Sequence, residues 1–410
     1  MFTRFLAVAA AIAATLPALC GAEPLSLDQA LTLATQRSQS ARAARAGIAS
    51  AMELARAAGQ LPDPMLSVGV DNLPITGPER LSTTADSMTM KRIGISQEWL
   101  SAEKRSTREA AAGAQILRER LAEEAALADT RLQAALAYVD AFYAGEALKL
   151  TTLNEHHVHE EFEAARARVA SASGSSQEVL ALAASRGLAE DESADVRQSQ
   201  AAALVALQRW VGLQPDSLTA PSLPALLQEG AYVANHPAVL AAQRDIEVAR
   251  REAAVAATNR RPNWTWQVAY GQRTGFPDMM SLGVSIPLPV APAERQDRET
   301  ASRLALVERT EANLEEARRM ATAEFRSLSS DAQRLSERIQ RYRSGIVTPT
   351  RQRIDAALAG YGSNQVTLVT VFEARHADLE VQRKLLALGR DLARLRAQLA
   401  FKPIPAGAVQ

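Results

Sequence analysis

Apolar positions recur along this chain at two periods, and the periods follow one another in the same order twice. From Ser101 to Ser173 there is no proline, and apolar residues step by four and three through Leu132, Leu136, Val139, Tyr143, Leu150 and Leu153. That is the spacing of a coiled-coil seam. A second seam runs through Leu314, Ala321, Phe325, Leu328, Ala332, Leu335, Ile339, Tyr342 and Ile346, broken by Arg318, and a third through Val381, Leu385, Leu388, Leu392, Leu395 and Leu399. The pattern predicts long helices over 101–173 and 293–359, each reaching roughly 100 Å at about 1.5 Å per residue. Shorter helices are expected over Asp28 to Gly59, 176–211, the start of the second half, and 364–400. Two short helices nearly equal one long helix in length, so a short pair stacked end to end is expected to line each long one as antiparallel coiled-coil hairpins.

Between each short and long helix the period drops to two. Leu66, Val68 and Val70 alternate with Ser67, Gly69 and Asp71; Trp264, Trp266, Val268 and Tyr270 alternate with Thr265, Gln267, Ala269 and Gly271; Met280, Leu282, Val284 and Ile286 alternate with Ser281, Gly283 and Ser285. These patterns predict strand pairs at 65–72 with 88–97 and at 263–273 with 278–288. The 88–97 segment is the poorest of the four. Met88 and Met90 lie on the opposite face from Ile93 and Ile95, and Lys91 shares the isoleucine face.

Short sequences repeat with these elements. Gly94-Ile95-Ser96 recurs as Gly283-Val284-Ser285, Arg105 to Arg108-Glu109 as Arg295 to Arg298-Glu299, and Gly174-Ser175-Ser176-Gln177 as Gly362-Ser363-Asn364-Gln365. A tandem duplication follows, with a first repeat over 23–212, a linker over 213–234, a second repeat over 235–400 and a tail over 401–410. The fold class is mainly α with a small β part. Strands of about ten residues with one apolar and one small polar face, with tryptophans near one end, carry the signature of an outer-membrane barrel. A soluble sandwich has the same alternation. Four strands do not close a barrel, and open edges are not tolerated in lipid. Three chains would supply a trimeric 12-stranded β-barrel, with the coiled-coil hairpins forming an α-barrel tunnel on one side of it. The segments Leu73 to Ser87 and Arg273 to Pro277 become outward loops.

Composition narrows the function classes. Lys plus Arg and Asp plus Glu number 46 each, and aromatic residues make up 4%, so no basic stripe argues for nucleic acid. Met1 to Ala22 has the form of a secretory signal peptide, with Arg4 ahead of the apolar run Phe5 to Leu16 and a small-residue exit at Cys20-Gly21-Ala22. Cleavage after Ala22 is expected. Cys20, the chain's only cysteine, raises a lipid-anchored N-terminus as the alternative, against which Leu19 occupies a position that wants a small residue. No phosphate loop, Gly-x-Ser-x-Gly elbow or His-Glu-x-x-His is present, and neither catalytic nor cofactor-binding residues are expected.

One polar cluster carries a metal alternative. In Glu155-His156-His157-Val158-His159-Glu160-Glu161, helical spacing puts His156, His159 and Glu160 on one face, a donor set for a divalent cation. A solvated polar face is the plainer reading. Met88, Met90, Met279 and Met280, near the outer strand ends, suit copper(I) and suit membrane-facing apolar positions at least as well.

Taken together, several segments resemble the TolC-like outer-membrane efflux proteins, and more closely their heavy-metal cation branch. The resemblance is carried by Leu61-Pro62-Asp63-Pro64, Asp71-Asn72-Leu73-Pro74, Met88 to Glu98, Glu103-Lys104-Arg105, Tyr361-Gly362-Ser363 and Val371-Phe372-Glu373-Ala374-Arg375. It implies a homotrimeric channel-tunnel in outer-membrane lipid whose periplasmic tips dock on an adaptor (membrane fusion) protein and an inner-membrane proton-driven pump. It also implies passage of the substrate, heavy-metal cations above all, without chemical change. The tips and adaptor contacts would be Gly174, Ser175, Ser176, Gln177, Gly362, Ser363, Asn364 and Gln365, with the two glycines as turn formers. Glu178 is the natural candidate for an entrance gate, beside the plainer reading of a first-turn carboxylate stabilised by its helix. A duct for drugs or other small molecules, and a periplasmic coiled-coil adaptor with a soluble β domain, are the alternatives.

Overall fold

The computed structural model describes residues 24–405 and Gly407, so the expected leader and Cys20 lie outside the described residues. The elements run α1 (Leu27–Arg37), α2 (Gln39–Ala58), β1 (Met65–Asp71), β2 (Met90–Trp99), α3 (Ala102–Ala170), α4 (Ser176–Val211), α5 (Glu229–Ala234), α6 (Pro237–Thr258), β3 (Trp264–Gln272), β4 (Met279–Ser285), α7 (Gln296–Tyr342), α8 (Thr348–Gly362) and α9 (Leu368–Phe401). Among the described residues no helix is long and apolar enough to cross a membrane.

The four strands form one antiparallel sheet in the order β1-β2-β3-β4. Its register sorts the side chains cleanly. Leu66, Ile95, Val268 and Leu282 form one row across the sheet, and Val68, Ile93, Tyr270 and Met280 the next. The other face carries the rows Ser67, Gly94, Ala269, Ser281 and Gly69, Arg92, Gly271, Met279. The apolar face is uncovered: Val68 and Leu282 are each 75% exposed. At one end of this face Trp99 pairs with Trp264, their ring centroids 6.0 Å apart.

Strand limits differ from the sequence reading for identifiable reasons. β2 starts two residues later than expected because Asp86 accepts the Met88 N–H and Thr89 Oγ1 donates to Asn72 O, which holds Met88 and Thr89 in the turn. It runs on to Trp99, adding a large apolar residue to the face that Lys91 weakens. β1 stops at Asp71 because Asn72 is left-handed, with φ 56°. β4 ends at Ser285, two residues ahead of Pro287, which has no N–H to give a ladder. The methionines divide: Met280 belongs to the apolar face, whereas Met90, as its alternation with the isoleucines predicts, and Met279 lie on the small polar one, so the membrane-facing reading holds for Met280 and not for these two.

Three expected helices also differ. The run Asp28 to Gly59 is broken at Ser38, whose extended ψ of 109° lets its hydroxyl cap α2 by accepting from Ala41 N. The same hydroxyl lies 2.9 Å from Thr130 Oγ1 on α3. The expected helix 293–359 is α7, a π turn over Arg343–Val347, and α8. Pro349 explains the turn: proline lacks the N–H for the Gly345 carbonyl and its ring crowds it, and an added residue in the preceding turn relieves both. The last helix starts at Leu368 rather than 364, and α5 occupies part of the expected linker.

The chain divides into two compact units that do not follow the repeat, since each draws on both copies. One comprises residues up to Ala34 with Ala137–Ser222 and Pro349–Leu386; the other comprises Thr35–Leu136, Leu223–Thr348 and the segment from Ala387. In the first, the α3 seam is not the one expected. Leu153 is 53% exposed, and the buried series is Thr151, Asn154, Val158, Glu161 and Ala165. Steps of three and four are kept, but shifted onto polar residues. Tyr138, fully buried, donates its hydroxyl to Leu25 O or Thr219 O, at 2.7 and 2.8 Å, pinning two segments that bridge at Leu25 and Leu218.

In the second unit, which holds the sheet, α6 packs along α7, and Ala321 is 1% exposed. Its chain end is tied in at Ile404, which is buried against Leu121, Ala128 and Leu240 and donates its N–H to Asn235 O at 2.9 Å. Glu324 organises the polar side, accepting from Tyr232 Oη at 2.8 Å and from Lys402 Nζ at 2.7 Å. Burial raises the Glu324 pKa, but the Lys402 and Tyr232 hydrogen bonds, aided by the Lys402 charge, outweigh it and leave the value lowered. A lowered carboxylate pKa contributes stability above the unfolded value that is lost as pH falls through the folded one. Glu324→Gln is therefore expected to destabilise the protein at neutral pH by about 1–3 kcal/mol. It should also flatten the acid limb of stability below about pH 4.5, read by thermal unfolding across pH.

Candidate functional site: the hairpin tips

The tips where α3 turns into α4, and α8 into α9, lie in the first unit and are built alike. In the first, Ala172 takes φ 54°, Ala172 N donates to Val169 O at 3.0 Å, and Ser173 N to Arg168 O at 2.9 Å. In the second, Asn364 takes φ 56°, Asn364 N donates to Tyr361 O at 3.0 Å, and Gln365 N to Gly360 O at 2.8 Å. Each is a Schellman helix end. The next helix begins four residues after the left-handed one in both, at Ser176 and Leu368.

This geometry corrects the sequence correspondence. The equivalent segments are Ala172 to Ser175 and Asn364 to Thr367, so aligning Gly174-Ser175-Ser176-Gln177 with Gly362-Ser363-Asn364-Gln365 is four residues out of register. Neither Gly174 nor Gly362 supplies the left-handed conformation; Ala172 and Asn364 do. Gly362 ends α8, and a Cβ there would meet nothing within 4 Å. Gly174 is needed for room, because a Cβ would come within 2.8 Å of Val169 N and 2.9 Å of Arg168 Cβ.

The second tip makes the opposite choice at the same contact. There Gly360 is the small residue on the helix and Val366 the large one on the return, 3.1 Å from where a Gly360 Cβ would sit. The pairs Arg168 with Gly174 and Gly360 with Val366 thus solve one packing problem with bulk on opposite sides.

The two tips are also joined to each other. Arg168 lies over the Tyr361 ring, 5.6 Å from its centroid, and Glu178 Oε1 accepts the Leu368 N–H at 3.1 Å. Glu178 therefore caps the helix of the neighbouring hairpin. Beneath them, Ala165, Leu182, Ala357, Leu368, Val371 and Ala374 form an apolar core fed by all four helices. Glu161 is buried in the same unit with Arg375 Nη1 2.6 Å from its Oε1, while its Oε2 has no partner. Burial raises the Glu161 pKa, with Arg375 opposing and Glu160 adding to the rise. Ser175 caps α4, its hydroxyl accepting from Gln177 N; Ser176, Gln177, Ser363, Asn364 and Gln365 are exposed.

The histidine cluster lies along one exposed stretch of α3. His156 Nε2 and Glu160 Oε1 are 3.2 Å apart and largely exposed, as an ordinary pair one helical turn apart. His156 and His159 line one shallow cavity, with Glu155 and Glu190 but also with Arg186 and Arg197, two guanidiniums unfavourable to a bound cation. Among the described residues no group of three or more His, Cys, Asp or Glu side chains is gathered for one ion. The Ala172 turn and the Arg168–Tyr361 contact were not anticipated. The first has no sequence signal, whereas Asn364 suits a left-handed position.

Cap and gate roles for Glu178 separate by substitution. Glu178→Gln keeps an acceptor for Leu368 N and is expected to leave thermal stability nearly unchanged, while Glu178→Ala should cost about 0.5–2 kcal/mol. In the same assay Gly174→Val should be strongly destabilising and Gly362→Ala tolerated; equal losses at both glycines would contradict the packing described.

No protein-family model matches the chain, and no curated protein sequence matches it. Solved structures do. The chain is similar to the outer membrane protein VceC of Vibrio cholerae, with 19% identity, TM-score 0.73, and coverage of 92% of this chain and 96% of that one. It is similar to CusC, a transmembrane channel, with 15% identity, TM-score 0.76, and coverage of 93% and 92%. It is also similar to the open state of the MtrE outer membrane channel of Neisseria gonorrhoeae, with 16% identity, TM-score 0.75, and coverage of 92% and 88%. Over almost its whole length, then, this chain has the TolC-like fold of outer-membrane channels, long paired helices carrying a four-stranded sheet of the barrel type.

Proposed function

We propose that the chain is one of three identical subunits of an outer-membrane efflux duct, each giving four strands to a shared barrel and its helices to a tunnel beneath it. One observation carries this reading: a sheet with an uncovered apolar face, an opposite face of small polar residues, and two open edges. In lipid the edges of β1 and β4 require partners, and copies of the same sheet supply them. The fold shared with VceC, CusC and MtrE supports it.

The exposed serines, Asn364 and glutamines of the tips are the surface we assign to a periplasmic adaptor, through which an inner-membrane, proton-driven pump delivers cargo. The duct conducts without altering what passes. Heavy-metal cations are the cargo we favour, on the sequence resemblance given above.

Arginine substitution tests the sheet. At mid-strand on the apolar face, Val68→Arg or Leu282→Arg should cost about 2–4 kcal/mol in lipid and abolish heat-resistant trimers in the outer-membrane fraction. Ser281→Arg, on the other face, should leave trimers intact. If the wild-type chain is released from membranes by carbonate as a single soluble copy, the duct reading is wrong and the soluble adaptor alternative gains.

A further inference from the structure

We propose that the thioethers of Met90 and Met279 form a binding step for a soft monovalent cation, Cu(I) or Ag(I), on the small polar face of the sheet. The inference rests on the duct reading for its setting, since that face then lines the barrel.

Both residues stand on the face opposite the sheet's large apolar rows. Met280 belongs to the exposed apolar face with Leu282 and Val284, as a membrane-facing residue should. Met90 and Met279 share the other face with Ser67, Gly69, Gly94 and Ser281. Between them lies Gly271, paired directly with Met279. Met90 fills the space that glycine leaves: its Sδ lies 2.7 Å from where a Cβ on residue 271 would sit. Directly opposed Cβ positions on neighbouring antiparallel strands are about 4.5–5.5 Å apart. The Met90 sulfur therefore takes the place of a side chain facing Met279, whose flexible arm brings a second sulfur within reach of one ion.

The donor set selects its cargo. Thioethers are soft and neutral, and favour Cu(I) and its heavier congener over Zn²⁺ or Mg²⁺. Their neutrality also tolerates the nearby cations, Arg92, whose Nη1 is 3.3 Å from Asp71 Oδ2, and Arg273, whose Nη1 donates to Ser87 O. Two neutral ligands give weak binding, as a conduction step requires, since an ion must leave as readily as it arrives.

The purified full-length protein in detergent, titrated with silver nitrate in chloride-free buffer by calorimetry, tests this directly. Met90→Leu and Met279→Leu remove sulfur at nearly constant volume, and each should weaken Ag(I) binding by about tenfold or more. Met280→Leu should leave it unchanged. Gly271→Ala keeps both sulfurs but evicts Met90 from its position, and should weaken binding as well. Unchanged silver affinity in the Met90→Leu, Met279→Leu double variant, an equal loss in Met280→Leu, or Zn²⁺ binding as tight as Ag(I) would each overturn the proposal. Trimer formation and outer-membrane fractionation of the same proteins report the duct reading separately. Trimers whose silver binding ignores the sulfurs remove only the thioether step, whereas a wild-type chain that forms no trimers removes the setting.

Discussion

Backbone hydrogen bonding at the margins of a four-stranded sheet is the constraint from which the rest of the structure follows. β1 and β4 each present a row of unpaired N–H and C=O groups, and the face between them carries Leu66, Val68, Ile95, Val268 and Leu282 uncovered. Water penalises the face, and lipid penalises the margins. Neither solvent suits the isolated sheet. In the proposed duct, pairing with strands of further copies satisfies the margins, and the apolar face is then left to lipid.

The helices answer to a different demand. Outside the sheet the chain must hold four helices together at its tips with little apolar area, and it does so with small residues and side chain to backbone links. Ala165, Ala357 and Ala374 let the helices close up, Glu178 caps the start of α9, and Arg168 bridges to Tyr361. The buried Glu161–Arg375 pair adds directional preference to a seam whose apolar content is low. Removing one partner of such a pair would leave an uncompensated buried charge. The tip is thus specified by polar contacts as much as by burial.

Much of this was legible in the amino-acid sequence, because period-two and heptad patterns survive any tertiary arrangement. The strands, the limits of α4 and the order of elements could all be read from it. Errors arose where a local contact overrides periodicity. Ser38 breaks a helix because its hydroxyl is a better cap than its backbone is a link, and Pro349 forces a π turn inside an otherwise regular seam. The polar α3 seam through Asn154 and Glu161 was hidden because it depends on a partner, Arg375, more than two hundred residues away. At the tips glycine does not mark the turn, since the left-handed residue of the first is Ala172. Gly174 serves to make room instead. For the methionines, parity along each strand placed Met90 correctly opposite the isoleucines, but only the register showed that Met279 joins it.

Spin labels placed singly at alternating positions of β1, β3 and β4 in reconstituted protein give the most direct test. Labels at positions 66, 68, 268 and 282 should collide with oxygen dissolved in lipid and be shielded from a water-soluble relaxant, with labels at 67, 69, 267 and 281 showing the reverse. An apolar face equally open to the aqueous relaxant, or accessibility without a period of two, would contradict the account.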